Sequence, residues 1–189
     1  MNDYIKMLSE QDKLSISISP NRWQFEENPY IISGPCSVES EEMIVDWAQK
    51  MKRIGVNALR GGAYKPCTYP ITKEIGNNGW KEGLREDGLR FLKTAREESG
   101  LPIVSEIMDS NQITESTMDC IDIVQVGTRN FQNYTLLDAL GELDVPILLK
   151  RGTWGTIDEI LGAVERILVR GNEKVAICLR GVVGMPSYR

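Results

Sequence analysis

Basic side chains follow four of the six short apolar runs in this sequence. Arg60 ends the second run, Arg129 follows the fourth, Lys150 ends the fifth and Arg180 ends the sixth. Arginine binds phosphate and carboxylate groups in a bidentate manner, and lysine adds a compact positive charge. A single charged residue at such a position is usually just exposed. Four of them together, in a chain with a formal net charge of −5, indicate a small ligand that carries several negative charges.

The sequence contains no histidine, so any chemistry done by this chain must use Cys, Asp, Glu, Lys, Arg or Tyr side chains. Besides the basic residues, one thiol and one carboxylate are candidates. Cys36 follows Gly34-Pro35 at the end of the first apolar run, and Glu106 lies in the third run. A thiol at that place can be a nucleophile, a metal ligand or a packing residue. The absence of a histidine to activate it weakens the nucleophile interpretation. A thiolate ligand for a divalent metal remains open, although the sequence pattern shows no partner ligands.

Strands that alternate with amphipathic helices must position these side chains. Ser40 is predicted to cap a helix with Met43, Ile44, Trp47, Met51 and Ile54 on its apolar face. Asp87 is predicted to cap a helix that ends at Gly100, and Thr156 to Glu159 fits a capping box. Weaker helix candidates cover 111–118 and 134–143. The strand candidates are 30–36, 57–61, 103–107, 121–127, 146–150 and 175–180.

This alternation predicts an α/β protein with a parallel sheet. Six strands suit an open doubly wound sheet, whereas a (β/α)8 barrel needs eight. In both folds the carboxyl ends of the strands meet on the face that holds the active site. Strand count alone leaves the two folds open, but both bring the basic residues to one face.

Composition sets the outer limits of the interpretation. A chain of 189 residues with 41% hydrophobic residues supports one main domain, predicted over 30–189, after an extension over 1–29. The alternating residues 15–19 predict a short strand or hairpin in that extension. The acidic charge argues against nucleic-acid binding, and no apolar run reaches the ~20 residues of a membrane span. The polar N-terminus and four cysteines without a CxxC pair predict a cytoplasmic protein with free thiols.

Five motifs occur in order on successive strand candidates: GPCSVES, LRGGAYKPCT, QVGTRNFQNYTLL, PILLKRG and a final LRG. Together they resemble the 3-deoxy-D-arabino-heptulosonate-7-phosphate (DAHP) synthase family, in the branch related to octulosonate-phosphate synthases, over roughly residues 30 to 181. The resemblance implies a (β/α)8 TIM barrel of which about six βα units are present and the C-terminal quarter is absent. It also implies the condensation of phosphoenolpyruvate with erythrose 4-phosphate, the first step of the shikimate pathway to aromatic amino acids.

The resemblance assigns roles to individual residues. Cys36 matches a ligand of a divalent metal ion (Mn, Fe, Co or Zn), and Thr68 matches a contact to the phosphate of the aldehyde. Glu106 matches an acidic residue near the reacting carbon and its water, and Lys65 and Glu106 are the implied catalytic residues. A homo-oligomer, dimer or tetramer, or a complementing chain is the expected partner. The residues matched to phosphoenolpyruvate binding are Arg60, Lys65, Arg129, Lys150 and Arg180.

Two departures from the family pattern keep alternatives open. The family reads Lys-Pro-Arg-Thr where this chain reads Lys65-Pro66-Cys67-Thr68. Losing a guanidinium contact to phosphate costs roughly 1.5–3 kcal/mol, unless Lys73 or Lys81 replaces it. The family's remaining metal ligands, a histidine, a glutamate and an aspartate, belong to strands that these residues do not include. The alternatives are an octulosonate-phosphate synthase, against which Lys65-Pro66 argues, a non-catalytic anion- or partner-binding remnant, and a flavodoxin-like sheet.

Overall fold

The computed structural model describes residues 15–18, 21–24, 29–66 and 83–183. Eight strands lie in these residues, and six of them match the six apolar runs of the sequence. The first of the six is much shorter than predicted, so Cys36 lies in the loop after it. The strands are β1 (Ser15–Ile18), β2 (Asn21–Gln24), β3 (Ile32–Ser33), β4 (Ala58–Arg60), β5 (Ile103–Ile107), β6 (Ile123–Val126), β7 (Ile147–Lys150) and β8 (Val175–Cys178).

Helices connect the strands of the larger sheet. Both weaker helix candidates are present in shortened form, and the first of them begins with a single 3-10 turn over Ser110–Gln112. A second 3-10 turn, Thr128–Asn130, follows β6 and carries the predicted ligand-binding Arg129. The α-helices are α1 (Glu41–Arg53), α2 (Arg85–Ser99), α3 (Glu115–Met118), α4 (Tyr134–Gly141) and α5 (Ile157–Leu168). Among the described residues, no helix is long and apolar enough to cross a membrane.

The six strands β3 to β8 form one sheet in sequential order, and every neighbouring pair is parallel. A doubly wound sheet reverses its strand order at a switch point and carries helices on both faces. Neither feature is present in this part of the chain. The sheet therefore follows the winding of a barrel wall, and the flavodoxin-like alternative is excluded.

The two faces of the sheet pack against different partners. Strand residues such as Ile103, Ile107 and Leu149 point outward and share one apolar core with residues of the helices, including Ile44 and Leu137. The alternate residues point inward, because side chains along a strand alternate between the two faces. Those at the amino ends of the strands form a second small core, and those at the carboxyl ends carry the polar residues. The second core consists of Ile16, Ala58, Val104, Ile123 and Ala176.

The hairpin of β1 and β2 supplies the remaining member of this inner core. The two strands pair antiparallel, with Ile16 opposite Trp23. Ile16 is buried against Ile123 and Ala176. The hairpin therefore covers the amino end of the sheet interior and leaves the carboxyl end as the open face. The division of the chain at residue 29 remains a prediction.

Three of the predicted helix ends are confirmed. The Ser40 hydroxyl accepts from the Met43 amide, Gly100 adopts the left-handed conformation with φ 70°, and Thr156 and Glu159 form a reciprocal capping box. The prediction that Asp87 caps α2 is wrong. The helix begins at Arg85, so Asp87 lies in its first turn and pairs with Arg90.

The predicted apolar face of α1 is only partly correct. Ile44, Ala48 and Met51 are buried, but Trp47 is 38% exposed and Ile54 is 71% exposed. Helical spacing placed Trp47 and Ile54 near this stripe, whereas the sheet and α2 cover only a narrower strip of the helix.

Candidate anion-binding site

The predicted ligand-binding cations lie at the carboxyl ends of the parallel strands. Arg60 is the last residue of β4, and Lys150 is the last residue of β7. Arg129 and Arg180 follow the ends of β6 and β8, and both side chains are exposed. Strand direction therefore brings all four to one end of the sheet, as the sequence predicts.

None of these four cations, nor Lys65, forms an ion pair with a carboxylate in the part of the chain that the structure describes. Arg60 donates to the Pro35 carbonyl at 3.1 Å, and Lys65 donates to the Pro66 carbonyl at 2.7 Å. Arg180 donates to the Thr128 hydroxyl at 2.9 Å. Neutral oxygens leave the positive charge of each group uncompensated. The result is a concentration of positive potential on this face of an acidic protein.

Cations on the outer helices behave differently. Arg166 donates two 2.7 Å hydrogen bonds to Asp138, and Arg170 adds a third at 3.0 Å. The hydrogen bonds from Arg166 hold the pKa of the Asp138 carboxyl below its ordinary value. The other paired cations of this kind are Lys50, Arg90, Lys93, Arg96 and Lys174. Many surface cations are thus neutralised by carboxylates of the same chain. The cations at the strand ends have no such partner among the described residues.

Backbone packing draws the first loop onto the second strand. Gly34 lies against the backbone of Arg60 with φ 151°, and an added Cβ would meet the Arg60 amide nitrogen and carbonyl carbon at about 3 Å. The Arg60 guanidinium then reaches the Pro35 carbonyl. Cys36 follows directly and its side chain is exposed on the same face. The Gly34-Pro35-Cys36 motif therefore places the backbone of this loop, and Cys36 with it, beside the end of β4.

A hydrogen bond ties together two loops on the same face. Arg180, after β8, reaches Thr128, which directly precedes Arg129 after β6. The side-chain amide of Asn130 donates to the Met108 carbonyl at 3.2 Å, which links this loop to the end of β5. Arg151, by contrast, donates to the Gly155 carbonyl and holds its own loop. The basic residues after β6 and β8 therefore lie close to each other.

A buried polar pair lies beneath these cations. Glu106 on β5 and Gln125 on β6 are register partners, and the Gln125 amide donates to Glu106 Oε2 at 3.1 Å. Glu106 Oε1 is buried and has no hydrogen-bond partner among the described residues. Gly127 adjoins that oxygen, because an added Cβ there would lie 2.7 Å from the Glu106 Cδ. The free oxygen therefore points toward the carboxyl end of the sheet.

The predicted site includes Glu106 but not its neighbours Gln125 and Gly127, nor Thr128, which accepts from Arg180. One signal for Gln125 was available, since it is the single polar residue within the buried run Ile123–Val126. A polar side chain inside such a strand needs a partner. Nothing local in the sequence indicates that Gly127 faces Glu106 or that Thr128 accepts from Arg180.

A divalent metal does not fit the described residues alone. No three His, Cys, Asp or Glu side chains come close enough together in residues 15–18, 21–24, 29–66 and 83–183 to hold one. Cys36 therefore has no co-ligand in this part of the chain, and its role as a metal ligand remains a prediction. Thr68, with Cys67, Lys73 and Lys81, lies outside the described residues, so its contact to a phosphate also remains a prediction.

The fold and the cationic face define a class of protein: an α/β protein of barrel-type winding with a candidate anion-binding site at the strand ends. The family model described as the DAHP synthetase I family matches residues 18–188. The chain therefore belongs to that family. The resemblance in the sequence motifs is confirmed by this match.

Individual relatives agree with the family. The chain is 41% identical over 152 residues to the phospho-2-dehydro-3-deoxyheptonate aldolase of Thermotoga maritima, covering 80% of the chain and 42% of that protein. It is 24% identical to the 2-dehydro-3-deoxyphosphooctonate aldolase of Thioalkalivibrio sulfidiphilus, covering 82% of the chain and 55% of that protein. The chain thus spans about half the length of these relatives.

Solved structures show the same fold. The crystal structure of the Thermotoga maritima DAHP synthase superposes with a TM-score of 0.79 at 35% identity, covering 93% of the chain and 48% of that structure. A truncated form of the Thermotoga maritima 3-deoxy-D-arabino-heptulosonate 7-phosphate synthase gives 0.77 at 32% identity, covering 95% of the chain and 61% of that structure. The described part of the chain therefore corresponds to about half of a known enzyme fold.

Proposed function

We propose that the chain binds phosphoenolpyruvate at the carboxyl ends of β4 to β8 and condenses it with erythrose 4-phosphate as a DAHP synthase. The observation that supports this proposal is the set of strand-end cations that have no carboxylate partner among the described residues. Phosphoenolpyruvate presents a phosphate and a carboxylate on a three-carbon frame, which suits several converging cations. Its groups would be held by Arg60, Lys65, Arg129, Lys150 and Arg180.

The reaction needs one new carbon–carbon bond and one molecule of water. The methylene carbon of phosphoenolpyruvate attacks the aldehyde carbon, water adds to the carbon that bears the phosphate ester, and inorganic phosphate leaves. Fixed cations orient the donor and stabilise its negative charge without reorganising during the reaction. Glu106, whose buried Oε1 has no hydrogen-bond partner among the described residues, would accept a proton from the attacking water.

The aldehyde substrate has a candidate position beside Lys65. A cavity of about 420 Å3, lined by Lys65, Pro66, Arg85 and Gln112 among others, opens next to the loop that follows β4. This volume falls in the range of small-molecule sites. Two cations in its lining suit a sugar phosphate. The predicted Thr68 follows Pro66 by two residues.

A complete (β/α)8 barrel and a divalent metal (Mn, Fe, Co or Zn) belong to the same proposal. Both require groups in addition to the described residues, since Cys36 alone cannot hold a metal ion. The expected assembly is a homo-oligomer or an association with a complementing polypeptide.

Titration of phosphoenolpyruvate by calorimetry tests the binding site. Arg129→Ala should weaken affinity by about tenfold or more, because a charged hydrogen bond is worth roughly 1.5–3 kcal/mol. The matched control is Arg90→Ala, which removes an arginine paired with Asp87 on the outer face of α2 and should leave affinity unchanged. Equal affinity of Arg129→Ala and the wild-type protein would refute the assignment.

Turnover separates the proposed enzyme from its alternatives. Phosphoenolpyruvate absorbance should fall when erythrose 4-phosphate and Mn²⁺ are added, and arabinose 5-phosphate should be used less well. Arabinose 5-phosphate is tested because the relatives also include 2-dehydro-3-deoxyphosphooctonate aldolases. Preference for arabinose 5-phosphate would make the chain an octulosonate-phosphate synthase. Tight phosphoenolpyruvate binding without turnover of either aldehyde would identify a non-catalytic anion-binding protein.

A further inference from the structure

We propose that Gln125 is the positioning residue for Glu106. Its side-chain amide holds one carboxylate oxygen so that the other faces the bound donor. This inference rests on the proposed function, because Glu106 is useful in that orientation only if the donor and its water lie above it. Gln125 itself does not touch the reacting atoms.

The geometry of the pair is fixed by the sheet. Gln125 and Glu106 are directly opposite in the parallel pairing of β5 and β6, so their side chains leave the same face at the same height. Both are almost fully buried, at 2% and 4% exposure. The 3.1 Å hydrogen bond from Gln125 Nε2 to Glu106 Oε2 therefore forms away from competing water. Hydrogen bonds in such surroundings orient side chains strongly.

The surroundings offer Glu106 no equivalent partner. Towards the amino ends of the strands, the residues at neighbouring inward positions are apolar, including Val104, Ile123 and Leu148. Within the described residues, Gln125 is the only side chain that donates to the Glu106 carboxylate. A buried acceptor left without a donor is costly, so Oε1 is poised to accept from a ligand or water. Removing the Gln125 donor would free the carboxylate to rotate.

Two further features direct Oε1 toward the cationic face. Gly127 has no side chain, and the Glu106 carboxylate occupies the space that a Cβ there would fill. Lys150 lies one residue beyond Leu149, the register partner of Val126, so it stands beside Gly127. In the described strands, the cations on this face of the sheet are Lys150 and Arg60. A cation beside Oε1 supports a contact with an anionic ligand and its water.

The chain offers a matched control for this pair. Gln132 donates to Glu159 Oε1 at 3.1 Å, the same chemistry at the same distance, but the pair lies on the outer surface. Among the described residues, no hydrogen bond or ion pair joins Gln132 to the strand-end cations. Gln125→Met and Gln132→Met each remove one amide donor while keeping the length and volume of the side chain. An effect seen only in Gln125→Met therefore depends on the place of that residue in the site. An effect seen in both variants comes from the loss of any glutamine–glutamate hydrogen bond.

The first test follows the side-chain amides by ¹⁵N NMR in the wild-type protein, with each resonance assigned by its disappearance in the matching Met variant. The Gln125 amide should exchange with water at least about tenfold more slowly than that of Gln132. Adding phosphoenolpyruvate should move the Gln125 resonance and leave the Gln132 resonance in place. An unmoved Gln125 resonance in protein that binds phosphoenolpyruvate would overturn the inference.

The second test measures steady-state kinetics with phosphoenolpyruvate and erythrose 4-phosphate. Gln125→Met should lower kcat by about tenfold or more, as loss of an outer-shell partner typically does, with KM for phosphoenolpyruvate within about twofold. Gln132→Met should change neither value. An unchanged kcat, or a matching loss of phosphoenolpyruvate affinity, would overturn the positioning role. A wild-type protein without turnover would instead refute the proposed function, and the NMR test would still decide on Gln125.

Discussion

Replacing Gly127 by alanine tests the packing beneath the cationic face most directly. Gly127 has φ −68° and ψ 158°, an extended conformation that alanine also adopts, so the substitution carries no backbone strain. The added methyl would lie 2.7 Å from the Glu106 Cδ, whereas ordinary contacts begin at 3.4 Å. The Glu106 Oε1 lies closer still to that position, so the carboxylate must retreat by about 1 Å or more or the strand must shift, which is an overpacking change.

Overpacking of this size in a buried site costs about 1–3 kcal/mol of unfolding free energy. The same retreat moves Glu106 relative to its 3.1 Å hydrogen bond from Gln125. Urea unfolding followed by tryptophan fluorescence measures the first effect. The ¹⁵N NMR resonance of the Gln125 side-chain amide reports the second, and we expect it to move from its wild-type position because the carboxylate that accepts its hydrogen bond is displaced.

Gly162 provides the control. It lies within α5, and an added Cβ would have no neighbour within 4 Å. Alanine should stabilise the protein there by about 0.5–1 kcal/mol, because glycine is unfavourable inside a helix. If Gly127→Ala were as stable as Gly162→Ala and left the Gln125 side-chain amide resonance at its wild-type position, the assigned proximity of Gly127 to Glu106 would be wrong.

Three further predictions concern other parts of the fold. Thr156→Ala removes the capping box of α5 and should lower the unfolding free energy by about 1 kcal/mol in urea, whereas Thr156→Ser should retain most of it. Arg166 keeps the pKa of Asp138 low, so this carboxylate stabilises the fold above its unfolded pKa and ceases to do so as acid protonates it. Asp138→Asn should therefore show a smaller fall in melting temperature between about pH 5 and pH 2 than the wild-type protein, and an identical fall would contradict this account. Ile177, 37% exposed, lies on β8, which pairs with β7 alone in the described residues and carries no charge to block pairing. Ile177→Lys should reduce concentration-dependent self-association in sedimentation velocity runs, and unchanged association would exclude β8 as the contact.

Local features of the fold were predictable because they depend on neighbouring residues. The six apolar runs became the six parallel strands, with bounds shortened by one to several residues at most ends. Ser40, Gly100 and Thr156 act through hydrogen bonds within one turn of helix, so their roles follow from the sequence. The prediction that Asp87 caps α2 was wrong because the helix begins two residues earlier, at Arg85.

The sequence by itself determined that basic residues stand at the ends of β4, β6, β7 and β8, and strand direction then places them at one end of the sheet. Only the tertiary structure decided which cations are neutralised. Arg166 pairs with Asp138 from another helix, whereas Arg129 and Lys150 have no carboxylate partner in the described residues. It also decided that Glu106 meets Gln125 and Gly127. These contacts join residues distant in sequence, and their distances depend on the register and packing of the whole sheet, which no local pattern encodes.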